Sequence, residues 1–362
     1  MSEPHESPIH TRHETDGASF KEFRGATVPS SYGDAAAEHG AIRNGAGIVD
    51  RSYLSKLQFT GADAKDYLQR MTSNEVVDIE PGTGNHGALL TDRGKLIADF
   101  RLFKSEEHLR IHFDHLQRQA LLGPLEKFII TDDVTITDLS DTHGIFGVYG
   151  PRSGELLRSV FNLDMSERED FSHFEVFFAG EDLLVASQHI TGEQGFEIWW
   201  PNELAGELWE ALISAAPSHD ALPAGHDAFE LARLEAGVPL FGIDMDENTI
   251  PNEAGLEHAA SVTKGCYIGQ EIISRIYHLG HVNRLLRGLK FTSDIAAAGA
   301  KVKAEEKEIG TVTSAASSPT VGSGIGLAIL RSRFATPGQE VNVEWDGQQT
   351  TAEIVDLPFL TP

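Results

Sequence analysis

Cysteine is almost absent from this sequence of 362 residues, which contains Cys266 alone. One cysteine excludes an intrachain disulfide and any metal or cluster site built from four cysteines of one chain. It also fits a reducing compartment. Positive charge is scarce as well, since 29 Lys and Arg stand against 55 Asp and Glu, a formal net charge of −26. Because that field repels polyanions, we expect no nucleic-acid partner.

Long apolar runs are also missing. No stretch approaches the roughly 20 apolar residues of a membrane span, and residues 1–20 contain no apolar signal segment. We therefore expect a cytoplasmic protein with no membrane partner. The polar composition of residues 1–22 predicts a disordered tail, and a solvated tail is favoured over a metal site at its histidines, His5, His10 and His13.

The rest of the chain predicts mixed strands and helices. Apolar spacing indicates helices at 35–44, 116–128, 153–161 and 270–277, among others, and strands such as 54–59, 145–149 and 195–200. From Leu286 onward, short strand candidates separated by turn residues predict a small antiparallel barrel or sandwich, which places a boundary near residues 282–286. The fold class expected from this order is α+β.

The segment KGCYIGQE, Lys264 to Glu271, carries a candidate reactive thiol. Gly265 and Gly269 indicate a turn before a predicted helix, so that Cys266 lies close to a helix N-terminus with Lys264 two residues away. Both features stabilise a thiolate. The alternative is a buried cysteine that packs as a small apolar residue. The glycines and the lysine favour the functional thiol.

The same segment begins a basic stretch in an acidic chain. Between Lys264 and Lys290 there are five basic residues and one acid, a local charge of +4, whereas residues 242–263 carry five acids and no Lys or Arg. Arg284 and Arg287 in this stretch are candidate contacts for an anionic ligand. Ordinary salt bridges between the two segments are the alternative.

A second motif, TGEQGFEIW, runs from Thr191 to Trp199. Its glycines predict a tight turn that leads into a strand, on which Glu197 faces opposite to Phe196 and Ile198. An inward Glu197 is a buried carboxylate that needs a donor, and the amino-pyrimidine edge of a fused heterocycle supplies one. A solvent-exposed Glu197 is the alternative.

These motifs resemble a known family. KGCYIGQE is similar to the signature of the YgfZ-type folate-binding proteins, relatives of the glycine-cleavage aminomethyltransferase. ARLEAGVPLFGIDMDENTIPNEAGL, TGEQGFEI, RMTSN, LLTDRGKLIADF, GTVTSAASSP and DLPF extend the resemblance over about residues 35–360.

The resemblance implies a three-lobed ring. Two α+β lobes, here residues 23–140 and 141–283 with KGCYIGQE in the second, precede a β-barrel at 284–362. The implied ligand is tetrahydrofolate or a derivative. Glu197 would hold the pterin edge and Arg233 would lie near the ligand, with Thr191 and Asp99 also in the folate-binding set. No metal site is implied.

One departure from the family bears on the reaction. The aminomethyltransferases carry paired aspartates where this chain has GKLIADF, with Ala98 at the first position and Asp99 at the second. An alanine neither accepts a hydrogen bond nor stabilises a cationic intermediate. The resemblance therefore favours a tetrahydrofolate-binding accessory protein that supports iron–sulfur cluster assembly or repair. Iron–sulfur enzymes or cluster-assembly proteins would be its partners.

The site residues implied for that role are those of KGCYIGQE. Cys266 would be the reactive thiol and Lys264 would lower its pKa, while Gly265, Tyr267, Gly269, Gln270 and Glu271 complete the motif. The alternative function is a folate-dependent aminomethyltransferase, methyltransferase or demethylase. A folate-binding module without chemistry is a third.

Overall fold

The computed structural model describes residues 5–163, 165 and 168–360. The chain forms two compact units, each discontinuous in sequence. The first comprises Met1–Gln69, Glu75–Gly87 and Phe100–Ala232, and the second comprises Arg70–Asn74, Ala88–Asp99 and Arg233–Pro362. The first unit thus contains most of both predicted α+β lobes, so that the chain divides differently from the predicted boundary at residue 140.

The helices alternate with strands through the first three quarters of the chain. They are α1 (His10–Thr15), α2 (Ala35–Asn44), α3 (Ala64–Met71), α4 (Arg118–Lys127), α5 (Ser153–Phe161), α6 (Ala205–Ala215), α7 (His226–Glu235) and α8 (Gln270–Leu279). Asp34 caps α2, because its carboxylate accepts from the backbone N–H groups of Ala36 and Ala37.

The strands of the α+β part lie between residues 5 and 223. They are β1 (His5–Glu6), β2 (Ser19–Phe23), β3 (Ala26–Ser31), β4 (Ala46–Asp50), β5 (Ser55–Thr60), β6 (Thr83–Leu90), β7 (Leu96–Lys104), β8 (Leu109–Phe113), β9 (Thr135–Asp138), β10 (His143–Tyr149), β11 (His173–Phe178), β12 (Glu181–Ser187), β13 (Gly195–Pro201) and β14 (Ala221–Pro223).

A six-stranded sheet with the order β11-β12-β13-β10-β4-β14 forms the centre of the first unit. Its inner strands are buried on both faces. One face carries Phe196, Ile198 and Trp200 of β13 into a core with α5 and α6, and the other carries Trp199 into a second cluster with Tyr53 and others. Strands buried on both faces are apolar almost throughout, so the polar residues on them stand out.

Residues 5–22 differ from the predicted disordered tail. They form α1 and two strands of a sheet ordered β1-β3-β2. His13 is fully buried, with its Nε2 2.8 Å from Asp50 Oδ2 and its Nδ1 2.8 Å from the Tyr32 hydroxyl. The Ser7 hydroxyl also donates to Asp50. Polar side chains order this segment because a buried carboxylate on β4 pairs with them, a contact that composition does not reveal.

A five-stranded sheet, ordered β6-β7-β8-β5-β9, carries the segment GKLIADF. Along β7, the side chains of Leu96, Ala98 and Phe100 are buried, whereas Ile97 and Asp99 on the opposite face are partly exposed. Residues 88–99, which comprise the turn between β6 and β7 and the adjoining ends of both strands, belong to the second unit.

The second unit ends in a closed six-stranded barrel, ordered β15-β18-β17-β16-β19-β20. Its strands are β15 (Arg284–Phe291), β16 (Lys301–Ala304), β17 (Lys307–Ser318), β18 (Ser323–Arg331), β19 (Glu340–Trp345) and β20 (Gln348–Val355). The prediction of an α+β fold followed by an antiparallel barrel is confirmed, and the barrel begins within the predicted boundary region. Closure leaves the barrel without an unpaired edge.

None of the helices in the described part of the chain combines the length and the apolar character that a membrane span requires.

Candidate functional site

Glu197 lies at the centre of the six-stranded sheet, fully buried. It is paired in register with Gly147 of β10 and Ala186 of β12. As strand alternation predicts, Glu197 faces opposite to Phe196 and Ile198, on the side of the sheet that carries Trp199. The inward orientation is therefore the one that the structure shows, and the exposed alternative is wrong.

Small neighbours make room for polar groups around this carboxylate. Gly147 and Gly195 both lie against the ring of Tyr149, and a Cβ on either glycine would lie within 2.4 Å of ring carbon atoms. Such an approach is impossible for any other residue, so the two glycines allow the tyrosine ring to lie across the sheet. The Tyr149 hydroxyl consequently reaches Glu197 and donates to its Oε1 at 2.9 Å.

Three further side chains complete this Glu197 cluster. The Nη1 of Arg51 donates to the Tyr149 hydroxyl at 2.8 Å and to Glu197 Oε1. The Nε2 of His112 lies 2.8 Å from Glu197 Oε2. The guanidinium of Arg51 stacks on the ring of Phe229, 4.9 Å from its centroid. All of these groups belong to the first unit.

The cluster keeps Glu197 ionised. Burial raises the pKa of Glu197, but His112 and Arg51 together lower it more, so that it lies below its ordinary value. Burial lowers the pKa of His112, against the opposing influence of Glu197, and burial raises the pKa of Tyr149 well above its usual range. The arrangement is a buried carboxylate whose permanent countercharge is the guanidinium of Arg51.

Two other residues of the predicted folate set, Arg233 and Thr191, have structural partners. Arg233, at the end of α7, is buried and its Nη1 donates to Asp244 Oδ2 at 2.8 Å and to the Val238 carbonyl at 2.7 Å. Thr191 is buried, and its carbonyl accepts from Arg43 Nη1 at 2.7 Å. Asp244 in turn accepts from two hydroxyls of β17, those of Thr313 and Ser314.

Cys266 is exposed, so the alternative of a buried apolar cysteine is wrong. The predicted helix that follows it is confirmed, since α8 begins at Gln270 with Gly269 as its N-cap. Lys264 is buried and its ammonium donates to the carbonyls of Thr72, at 2.8 Å, and Asn74, at 2.5 Å. The lysine therefore holds the 72–74 loop, a use of its charge that the sequence does not reveal.

The remaining residues of KGCYIGQE shape this turn. Tyr267 is buried and its hydroxyl donates to the Ser261 carbonyl, while the Gln270 amide donates to the Lys264 carbonyl. Gly269 has φ of +87°, and a Cβ there would lie 2.6 Å from the Thr91 carbonyl oxygen. Gly269 is thus required twice, for its conformation and for the close approach of another chain segment. Gly265 and Glu271 are exposed.

The two arginines predicted to contact an anionic ligand, Arg284 and Arg287, are already bonded within the protein. Arg284 donates to both carboxylate oxygens of Glu253, at 3.2 and 2.8 Å. Arg287 Nε donates to the Ala335 carbonyl at 2.9 Å. The geometry of Arg284 is that of the salt-bridge alternative, because Glu253 belongs to the acidic stretch.

The structure also changes the meaning of Ala98. Its side chain is fully buried on the face of β7 that carries Leu96 and Phe100. A carboxylate at position 98 would lie among apolar side chains, where an ionised group costs several kcal/mol. Asp99 is on the opposite, partly exposed face. Of the two positions in the paired-aspartate motif, this chain therefore retains an aspartate at the partly exposed one.

Sequence reasoning did not select Arg51, Tyr149 or His112 as site residues. A signal was present for Arg51, since Asp50 and Arg51 directly follow the apolar run from Ala46 to Val49. Among the described residues, no three His, Cys, Asp or Glu side chains are placed to hold a metal ion.

Comparison with known proteins covers both units. Residues 9–264 match the GCVT N-terminal domain, and residues 284–360 match the glycine cleavage T-protein C-terminal barrel domain. An aminomethyltransferase of Halalkalibacterium halodurans is 30% identical over 361 residues, 99% of each chain. Another, from Thermoanaerobacter pseudethanolicus, is 30% identical over 343 residues, 93% of this chain and 92% of that protein.

A solved structure agrees with these relatives. The glycine cleavage system aminomethyltransferase T of Bartonella henselae superposes with a TM-score of 0.90, at 25% identity and 98% coverage of both chains. Neither domain description is specific for the YgfZ-type proteins. The two domain matches and the full-length relatives together establish that this chain belongs to the glycine-cleavage T-protein family.

Proposed function

We propose that this chain is a folate-dependent aminomethyltransferase, the function that the sequence alone ranked second. The full-length relatives support it, since the chain and the Halalkalibacterium halodurans aminomethyltransferase cover 99% of each other. The observation that carries the proposal is the placement of Asp99. Its carboxylate is on the partly exposed face of β7, while the missing aspartate corresponds to a core position, Ala98.

The chemistry requires an anionic group beside a positively charged one-carbon unit. Tetrahydrofolate, when bound, would supply the amine nitrogens that take up such a unit. The carboxylate of Asp99 is suited to hold the proton of the leaving amine and to stabilise the cationic intermediate electrostatically. Because position 98 faces the core, Ala98 removes neither contribution.

The Glu197 cluster supports a pterin ligand on chemical grounds. Glu197 is an ionised carboxylate that already accepts donors from a planar guanidinium. The 2-amino-4-oxo edge of a pterin presents the same kind of planar N–H donor pair. Glu197 is therefore the residue that would hold that edge, and it belongs to the predicted folate set.

Turnover tests the proposal directly. The protein is incubated with tetrahydrofolate and an aminomethyl-lipoyl carrier protein, and methylene-tetrahydrofolate is measured with the ammonia released. We expect turnover by the wild type and a loss of about 100-fold or more in kcat for Asp99→Asn, which keeps the shape and removes the charge. Asp92→Asn, an exposed position on the preceding turn, is the control and should retain activity. Equal rates for the two variants would contradict the role of Asp99.

A second function is favoured by one observation, the exposure of Cys266 in KGCYIGQE. An exposed thiol next to a helix N-terminus is available for reaction or for transient ligation of a cluster. On this alternative, the chain binds tetrahydrofolate and supports iron–sulfur enzymes or cluster-assembly proteins. Since one chain supplies one thiolate, further ligands would come from a partner or a small thiol.

Complementation separates the two functions. Deletion of the gene should lower the activity of cluster-dependent enzymes if the second function holds, and Cys266→Ala should fail to restore it. Asp99→Asn should restore it fully. If Cys266→Ala complements like the wild type, the thiol has no part in the function.

A further inference from the structure

The guanidinium of Arg51 is in close contact with the carboxylate of Glu197. Arg51 directly follows β4, and its side chain is 8% exposed. Its Nη1 donates both to Glu197 Oε1 and to the Tyr149 hydroxyl, and Phe229 supports the guanidinium from one side. His112 lies at the other carboxylate oxygen. Both oxygens of Glu197 thus lie against a basic side chain of the protein itself, with a hydrogen bond formed at Oε1.

A guanidinium is chemically similar to the edge of a pterin. Both present coplanar N–H groups on a carbon bonded to three nitrogens, and both match the geometry of a carboxylate. One carboxylate edge accepts one such fork at a time. A pterin edge and the Arg51 guanidinium therefore compete for the carboxylate of Glu197, whose Oε1 accepts from Arg51 Nη1.

The guanidinium is not fully bonded in its present position. The Nε of Arg51 is buried and has no hydrogen-bond partner within the described part of the chain. A buried donor without an acceptor is unfavourable, because it has lost its hydrogen bond to water without gaining another. The unpaired Nε therefore lowers the free energy needed to move the Arg51 side chain off Glu197. Together with the competition for one carboxylate, this indicates that a ligand can displace the contact.

We propose that Arg51 is a specificity-determining residue that competes internally for Glu197, so that a ligand with an amino-pyrimidine edge binds only when the guanidinium leaves the carboxylate. This inference rests on the proposed function, because it takes Glu197 as the anchor of the pterin. On this inference, Arg51 lowers the affinity of the protein for all pterins. It thereby selects ligands whose other contacts with the protein offset the free energy of displacing the Arg51 guanidinium.

Calorimetric titration of the full chain tests this, with tetrahydrofolate and the tail-less 6-methyl-tetrahydropterin as ligands under anaerobic conditions. Arg51→Met removes the competing fork and keeps much of the volume. We expect both ligands to bind Arg51→Met about tenfold more tightly than the wild type, and Glu197→Gln in the same background to abolish the gain. Arg24→Met, which removes another largely buried arginine, one paired with Asp114, is the control and should leave both affinities unchanged.

Competition by free guanidinium gives a second measurement. Millimolar guanidinium chloride should weaken 6-methyl-tetrahydropterin binding to Arg51→Met, where the site beside Glu197 is vacated, more than binding to the wild type. If Arg51→Met does not fold, Arg51→Lys keeps the positive charge opposite Glu197 but removes the planar fork, and it should bind a few-fold more tightly than the wild type.

The outcomes are distinguishable. Equal or weaker pterin binding by a folded Arg51 variant, while the wild type binds tetrahydrofolate, overturns the inference and leaves the proposed function standing. No binding of tetrahydrofolate to the wild type or to any variant overturns the proposed function, and the inference falls with it.

Discussion

The two motifs that carry the family resemblance use their charged residues in opposite ways. In TGEQGFEIW, Glu197 is buried and its carboxylate is bonded to Arg51 and Tyr149. In KGCYIGQE, the lysine is the buried residue and binds two backbone carbonyls, while the thiol of Cys266 is exposed.

This difference shows that a motif does not reveal which of its residues meets a ligand. A buried charge must be paired. A charged residue that the sequence marks as reactive can therefore be one that binds and holds a loop. Lys264 is such a residue, because its ammonium binds the 72–74 loop. On the proposed function, Glu197 and Asp99 are therefore the residues to test before those of the thiol turn.

The largest expected effect is that of Glu197→Ala in TGEQGFEIW, which removes the carboxylate that pairs with Arg51. The substitution leaves the Arg51 guanidinium buried without its countercharge, and we expect it to lower the free energy of unfolding by about 3–5 kcal/mol. Urea denaturation followed by circular dichroism measures this. Glu193→Gln in the same turn, whose side chain is 34% exposed, should change stability by less than about 1 kcal/mol. Equal effects would mean that the cluster is not held by Glu197.

The corresponding change in the other motif is Lys264→Met. It keeps the aliphatic length but removes the donor to the carbonyls of Thr72 and Asn74, so we expect a loss of about 2–3 kcal/mol in unfolding free energy. Arg275→Met is the matched control on α8, since Arg275 is exposed and pairs only along the helix surface with Glu271. A Lys264→Met protein as stable as the control would show that the lysine does not hold the loop.

A third prediction concerns the pH dependence of stability and the buried ammonium group of Lys56. Lys56 of β5 donates to the Ser52 carbonyl at 3.0 Å, and burial lowers its pKa from 10.5 to about 7. Between these values the unfolded chain holds a proton that the folded chain has released, so stability rises with pH, by at most about 1.4 kcal/mol per unit. Unfolding free energies at pH 7, 8 and 9 should rise for the wild type relative to Lys56→Met. Parallel curves would show that Lys56 is charged in the fold.

The smallest effect is expected for Cys266→Ser. The thiol is exposed, and exposed substitutions away from caps and networks change stability by less than about 0.5 kcal/mol. Iodoacetamide should label Cys266 in the native protein, as read by intact mass, without a shift in the urea midpoint. Labelling of Cys266 only after unfolding would contradict its exposure. The reactive groups of both motifs would then be buried.

Elements with regular patterns were predictable from the sequence. The structure confirms both predicted helices α2 and α5 to the residue, because their apolar positions repeat at helical spacing. Strand β4 was not predicted. It ends in Asp50 and is followed by Arg51, two charges that argue for a surface loop, yet both are buried because their partners lie far away in the chain, at His13 and Glu197. Sequence analysis also predicted a disordered segment at residues 5–22 because the partner of His13, Asp50, is distant in the sequence.

By itself, the sequence determined the α+β class, the β-rich C-terminal part and that Glu197 faces opposite to Phe196 and Ile198, all of which follow from local spacing and strand alternation. Only the tertiary structure decided that Arg51 and Tyr149 take the carboxylate of Glu197, that Lys264 binds the 72–74 loop, and that Ala98 rather than Asp99 faces the core. The physical reason is common to all three. The environment of a polar group is set by partners distant in sequence, and burial, which no local pattern specifies, decides which partners it must find.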